Sequence, residues 1–117
     1  MTTHVSVNIS RRPPAPPTPP TPLDDRLLRL FSDPLRARLV SLLAVEQLCT
    51  CHLAEVTGAL PSAVSNQLRQ LREAGVVERE AAGRCTYYRL RPDVLDELGA
   101  QFVTLASVAR SAGKRPC

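Results

Sequence analysis

The chain has 117 residues, 15 Lys+Arg against 11 Asp+Glu for a net charge of +4, and four cysteines. That length holds one domain, and no apolar run reaches the roughly 20 residues that span a bilayer. With no apolar leader of the signal-peptide kind either, the expectation is a cytoplasmic chain whose cysteines are reduced thiols rather than cross-links. No HExxH, phosphate-cradling glycine loop or Ser/His/Asp set is present, so no enzymatic activity is expected. Of the 15 basic residues, 14 are arginine and Lys114 is the sole lysine. Arginine suits bidentate contacts to phosphate and guanine.

Residues 1–22 differ from the rest. RRPPAPPTPPTP places seven prolines in twelve residues, which disfavours helix and sheet and reads as a disordered arm in extended polyproline form. Residues 23–112 read as the folded domain and 113–117 as a flexible tail. A first helix is expected over 24–32, with acidic residues at its positive end and Leu27, Leu28, Leu30 and Phe31 apolar. Asp33-Pro34 then opens a second helix to about residue 45, burying Leu35, Leu39, Leu42 and Leu43. A short third helix, 51–57, is stopped by Gly58. After a turn through residues 59–61, Ser62 is expected to cap a fourth helix ending at Gly75. Two helices joined by a short glycine-containing turn make the helix-turn-helix plan.

The fourth helix is the most telling. Val64, Leu68 and Leu71 step i, i+4, i+7 and form one buried stripe. Ser62, Ser65, Asn66, Gln67, Arg69 and Gln70 are left outside. Such a face is equipped for base edges and phosphates of duplex DNA. Val76 to Arg91 then changes period: VVERE and CTYYRL are strand-like around an AAGR turn. Arg79, Arg84, Arg89 and Arg91 cluster on that hairpin, as on a wing lying along a nucleic-acid backbone. A last helix, 93–111, carries Leu95, Leu98, Phe102, Leu105 and Ala109 at steps of 3, 4, 3, 4. That seam asks for another helix, in so small a chain the one of a twin subunit. The fold class is therefore mainly α with a small β-hairpin wing, in the order α-α-α-α-β-β-α, dimerising through terminal helices.

FSDPLRARLVSLL, EQLCTCHLAEVTGALPSAVSNQLRQLREAGVV and GRCTYYRL together resemble the ArsR/SmtB family of dimeric winged-helix metal-sensing repressors. The resemblance implies a homodimer that binds an imperfect palindrome in double-stranded DNA and is released by an inducing ion. It maps the reading positions onto Ser62, Ala63, Ser65, Asn66 and Arg69, with Asn66-Gln67 where the family usually has two histidines. Ser65 and Asn66 are the expected base contacts, the asparagine accepting from and donating to adenine. Gln67 belongs to the same face, and Arg69, Arg72, Arg84 and Arg89 are expected at phosphates.

Cys49-Thr50-Cys51 aligns with the family's Cys-x-Cys element, which implies As(III), Cd(II) or Pb(II) as inducer. Thiolates are soft ligands suited to such ions, and the positive end of a helix favours a thiolate at Cys51. Residues i and i+2 do not share a helix face, so joint chelation needs this turn to leave helical geometry. Where three-thiol arsenic sites have a further cysteine this chain has Ala54; His52 is a candidate nitrogen ligand. The last helix has Asp93, Asp96 and Glu97 but no histidine, which disfavours zinc or nickel there. The alternatives are a winged helix driven by thiol oxidation at Cys49 or Cys51, and an inducer-independent regulator that recruits a protein partner through the proline-rich arm.

Overall fold

The computed structural model describes residues 15–18 and 22–117, so most of the expected disordered arm lies outside the described residues. Five helices and a small antiparallel sheet follow in the order α1 Asp25–Phe31, α2 Pro34–Leu43, β1 Leu48–Cys49, α3 Thr50–Thr57, α4 Pro61–Glu73, β2 Val77–Ala82, β3 Cys85–Leu90 and α5 Pro92–Arg110. No helix of the described residues is long and apolar enough to cross a membrane.

Local chemistry sets most boundaries. Asp24 and Asp33 cap α1 and α2, each side chain accepting from the backbone N–H three residues on, at 3.2 and 3.0 Å. Pro34 follows at the first helical position, where its missing N–H is no loss. The same preference corrects the expected start of α4: Pro61, not a capping Ser62, opens the helix, and Leu60 precedes it without a side-chain cap. Ser62 is thus released into the exposed first turn. Gly58 ends α3 at φ 73° and donates its N–H to Ala54 O at 2.9 Å. Gly75 ends α4 at φ 79°, with Val76 N–H on Leu71 O and Gly75 N–H on Arg72 O, the paired bonds of a Schellman stop. A Cβ at Gly58 would meet no atom within 4 Å, so Gly58→Ala carries only the conformational cost of positive φ. Urea denaturation should register that cost as a loss of about 1 kcal/mol.

One three-stranded sheet has the order β1-β3-β2, all antiparallel. The hairpin is tighter than the four-residue AAGR turn expected: Ala81 and Ala82 pair with Thr86 and Cys85, leaving Gly83 and Arg84 as the loop. Gly83 takes φ 64°, as a two-residue hairpin with glycine first requires. Strand β1 has no counterpart in the sequence reading; it sets Leu48 opposite Tyr88 and Cys49 opposite Tyr87.

The core gathers Leu39 and Leu43 of α2, Leu53 and Ala54 of α3, Val64, Leu68 and Leu71 of α4, and Val76, Val77, Tyr88 and Leu90 of the hairpin. Leu35 and Leu42, expected inside, are half-buried at its margin, as are Leu27, Leu30 and Phe31 of α1. Along α5, Val94 and Leu95 pack against this core and Leu98 is buried. Beyond it Phe102, Val103 and Val108 are 48%, 69% and 46% exposed. Asp24 N–H donates to Gln101 Oε1 at 2.9 Å, tying the start of α1 to α5.

Candidate nucleic-acid interface and thiol site

Helix α4 is seated by its apolar stripe: Val64, Leu68 and Leu71 have no solvent exposure. It packs on α2, α3 and β2. The opposite face presents Ser62, Ser65, Asn66 and Arg69 to solvent, with Ala63, Gln67, Gln70 and Arg72 half-buried. Of the side chains expected outside, Ser62, Ser65, Asn66 and Arg69 are exposed, whereas Gln67 and Gln70 are half-buried beside Arg36.

Three of the expected reading residues, Asn66, Gln67 and Arg69, are already engaged. Arg69 Nη2 donates to Asn66 Oδ1 at 2.5 Å. Arg36, in the first turn of α2, donates from Nη1 to Gln67 Oε1 at 2.7 Å and to Gln70 Oε1 at 3.0 Å, and from Nε to Leu30 O at 2.7 Å. One guanidinium thus joins the end of α1 and the start of α2 to the middle of α4. Arg38 does a similar service for α3, donating to Val56 O at 3.0 Å and Thr57 O at 3.4 Å. Neither arginine was singled out from sequence; their spacing from Gln67 and Val56 carries no signal until the helices are packed.

On the hairpin, Arg84 is exposed at the tip and Arg79 on β2. Arg89 pairs across the strands with Glu78, which also receives Arg91 Nε at 3.4 Å, and Arg91 Nη2 donates to Asp93 Oδ2 at 2.9 Å. Arg89 is 49% exposed and Glu78 47%. Ion pairs of that exposure contribute roughly 0–1 kcal/mol and can be exchanged for a phosphate.

All four cysteines are free thiols. Cys49 is buried on β1, with Sγ 3.2 Å from Nδ1 of His52 on α3. Cys51 is exposed in the first turn of α3. The passage from strand into helix leaves one thiol buried and the other exposed. Among the described residues no three His, Cys, Asp or Glu side chains are gathered as a metal ion would need. The Cys49, Cys51 and His52 set therefore has one thiol–imidazole pair in contact and is not assembled as a group of three. His52 also lines a shallow depression with Glu46, Leu48, Glu55 and Val56. Cys85 and Cys117 are exposed at the hairpin and the tail.

A helix-turn-helix followed at once by a β-hairpin defines a winged helix-turn-helix protein. Residues 33–79 match the profile described as bacterial regulatory protein, arsR family. The chain is similar to a transcriptional repressor SmtB homolog of Synechocystis sp., 48% identical over 59 residues that cover 50% of this chain and 45% of that one. It is similar to the arsenic resistance transcriptional regulator ArsR1 of Pseudomonas putida, 38% identical over 69 residues, covering 58% and 54%. These matches span about half the length of those curated relatives. The crystal structure of a possible transcriptional regulator for arsenical resistance superposes with a TM-score of 0.60 at 37% identity, over 74% of this chain and 96% of that chain. The chain belongs to the arsR family of bacterial regulatory proteins.

Proposed function

We propose that the chain is a homodimeric transcriptional repressor. In this reading α4 enters the major groove, and binding of a thiophilic ion at Cys49 and Cys51 releases the protein from DNA. The observation that carries it is the face of α4: Ser62, Ser65, Asn66 and Arg69 exposed over a fully buried Val64-Leu68-Leu71 stripe. Ala63 and Gln67 flank that face, Arg72 and Arg84 are candidate phosphate contacts, and Arg89 joins them when it exchanges Glu78 for phosphate. Two copies of α4 would occupy successive major grooves roughly 34 Å apart on an imperfect palindrome. The relatives' names, a repressor and an arsenic resistance regulator, support the same reading.

Cys49, Cys51 and His52 are the residues that would hold the ion, which supplies the affinity for soft donors that draws the two thiolates together. Cys49 is fastened by β1 to Tyr87, whereas Cys51 belongs to the first turn of α3. Bringing them together requires that turn to unwind, and α3 packs directly on α4. A coupling of about 1–3 kcal/mol lowers DNA affinity by one to two orders of magnitude. Fluorescence anisotropy on the protein's own upstream region, with and without arsenite, should show that loss in the native chain and none in Cys49→Ser. Equal loss in both refutes the switch; cadmium, lead, zinc and nickel titrations identify the ion.

A second reading, oxidation at the same thiols, draws on the 3.2 Å contact of Cys49 Sγ with Nδ1 of His52 and on the exposure of the neighbouring Cys51. Mass spectrometry of the oxidised protein, searching for a Cys49–Cys51 bridge, separates it from ion sensing.

A further inference from the structure

We infer that the carboxamides of the reading helix present only donors to DNA, so that α4 reads acceptor-rich base edges, those of guanine above all, and does not read adenine through Asn66 or Gln67. This rests on the DNA-binding reading above and adds the base chemistry it recognises. An arginine guanidinium has no acceptor, so any amide bonded to it must turn its oxygen toward the guanidinium. Arg69 fixes Asn66 in this way and Arg36 fixes Gln67. The NH2 group of each makes no hydrogen bond among the described residues and stays available as a donor. A two-bond contact to adenine needs the amide oxygen for the N6 amino group as well as the NH2 for N7. Cytosine N4 makes the same demand. Guanine offers N7 and O6, both acceptors, and asks only for donors. The remaining guanidinium N–H groups of exposed Arg69 add to that preference.

Arg36 acts here as a positioning residue. It lies half-buried at the junction of α1, α2 and α4, and its Nε bond to Leu30 O anchors it from the side remote from α4. Its bond to Gln70 one turn further along α4 holds the helix at two points. The orientation of Gln67 is thereby set by a residue that is not itself on the reading helix.

The test enriches sites from a random duplex library with the full chain. It then compares affinities for guanine-to-adenine changes and for 7-deazaguanine at each half-site guanine. Guanine should be favoured about tenfold over adenine at one or more positions, with a similar loss on removing N7, in keeping with a discriminating contact. Arg36→Met, which keeps the packing methylenes but no donor, should reduce the guanine-to-adenine ratio to about threefold or less at the position facing Gln67. Arg36→Lys, which retains a donor, should keep it. A merely structural role for Arg36 would lower affinity for all duplexes alike, along with Tm, and leave the ratio unchanged; that result overturns the inference. So does a loss on deleting an adenine N6 amino group that vanishes in Asn66→Ala or Gln67→Ala. The base-analogue arm uses the native chain and stands even if Arg36→Met fails to fold. No binding to any duplex at low salt overturns the DNA-binding reading instead.

Discussion

Replacing Leu68 with alanine is expected to lower the unfolding free energy by about 3 kcal/mol, within the range for core leucines. Leu68 has no exposed surface and lies in the middle of the stripe that seats α4. The site collapses poorly because α4 is held elsewhere, by Arg36 on one side and the Gly75 stop at its end. A domain of this size has only about 5–15 kcal/mol in hand. Urea denaturation measures the loss. Ser62→Ala, on the exposed face, should change stability by less than about 0.5 kcal/mol, so the pair of variants separates the seat from the face. A loss below about 1 kcal/mol for Leu68→Ala would contradict the packing described.

The second large effect is expected at α5. Introducing a charge by Phe102→Glu should reduce the mass in sedimentation to that of one chain. The exposed Phe102 and the half-buried Leu105 continue the seam begun at Leu95 and Leu98, and within one chain nothing among the described residues buries Phe102. Operator affinity should fall by about 100-fold or more, because two half-sites no longer bind as one linked unit. Retention of the native mass would place the dimer contact elsewhere. Since Phe102 is distant in sequence from α4, binding of an isolated half-site should survive.

Where a boundary is written in neighbouring residues, the sequence shows it. Asp33-Pro34, Gly58 and Gly75 each mark a helix end through their own backbone chemistry, and each is found where expected. Ser62 misled because proline at the first helical position outranks a cap one residue later. Ala81 and Ala82 read as turn residues since alanine has little strand preference; the ladder with Cys85 and Thr86 extends the hairpin through them regardless. Strand β1 was invisible because two residues have no period and their partners lie about forty positions away. Helical spacing alone gives the exposed Ser62, Ser65, Asn66 and Arg69 of α4, but not the half-burial of Gln67 and Gln70. What spacing could not show is which polar groups are already occupied: Arg36 reaches Gln67 across 31 positions. The cysteines divide likewise: their proximity in sequence is obvious, whereas the burial of Cys49 on β1 and the exposure of Cys51 on α3 are not.

The pairing of β1 with β3 closes a long loop through only two residues, Leu48 and Cys49. Closing a loop that spans both helices of the reading unit carries an entropy cost, and only two ladder residues of β1 offset it directly. A two-residue ladder is also among the first to fray. Solvent reagents therefore gain entry to the Cys49 sulfur by local opening at this seam rather than by collapse of the whole fold.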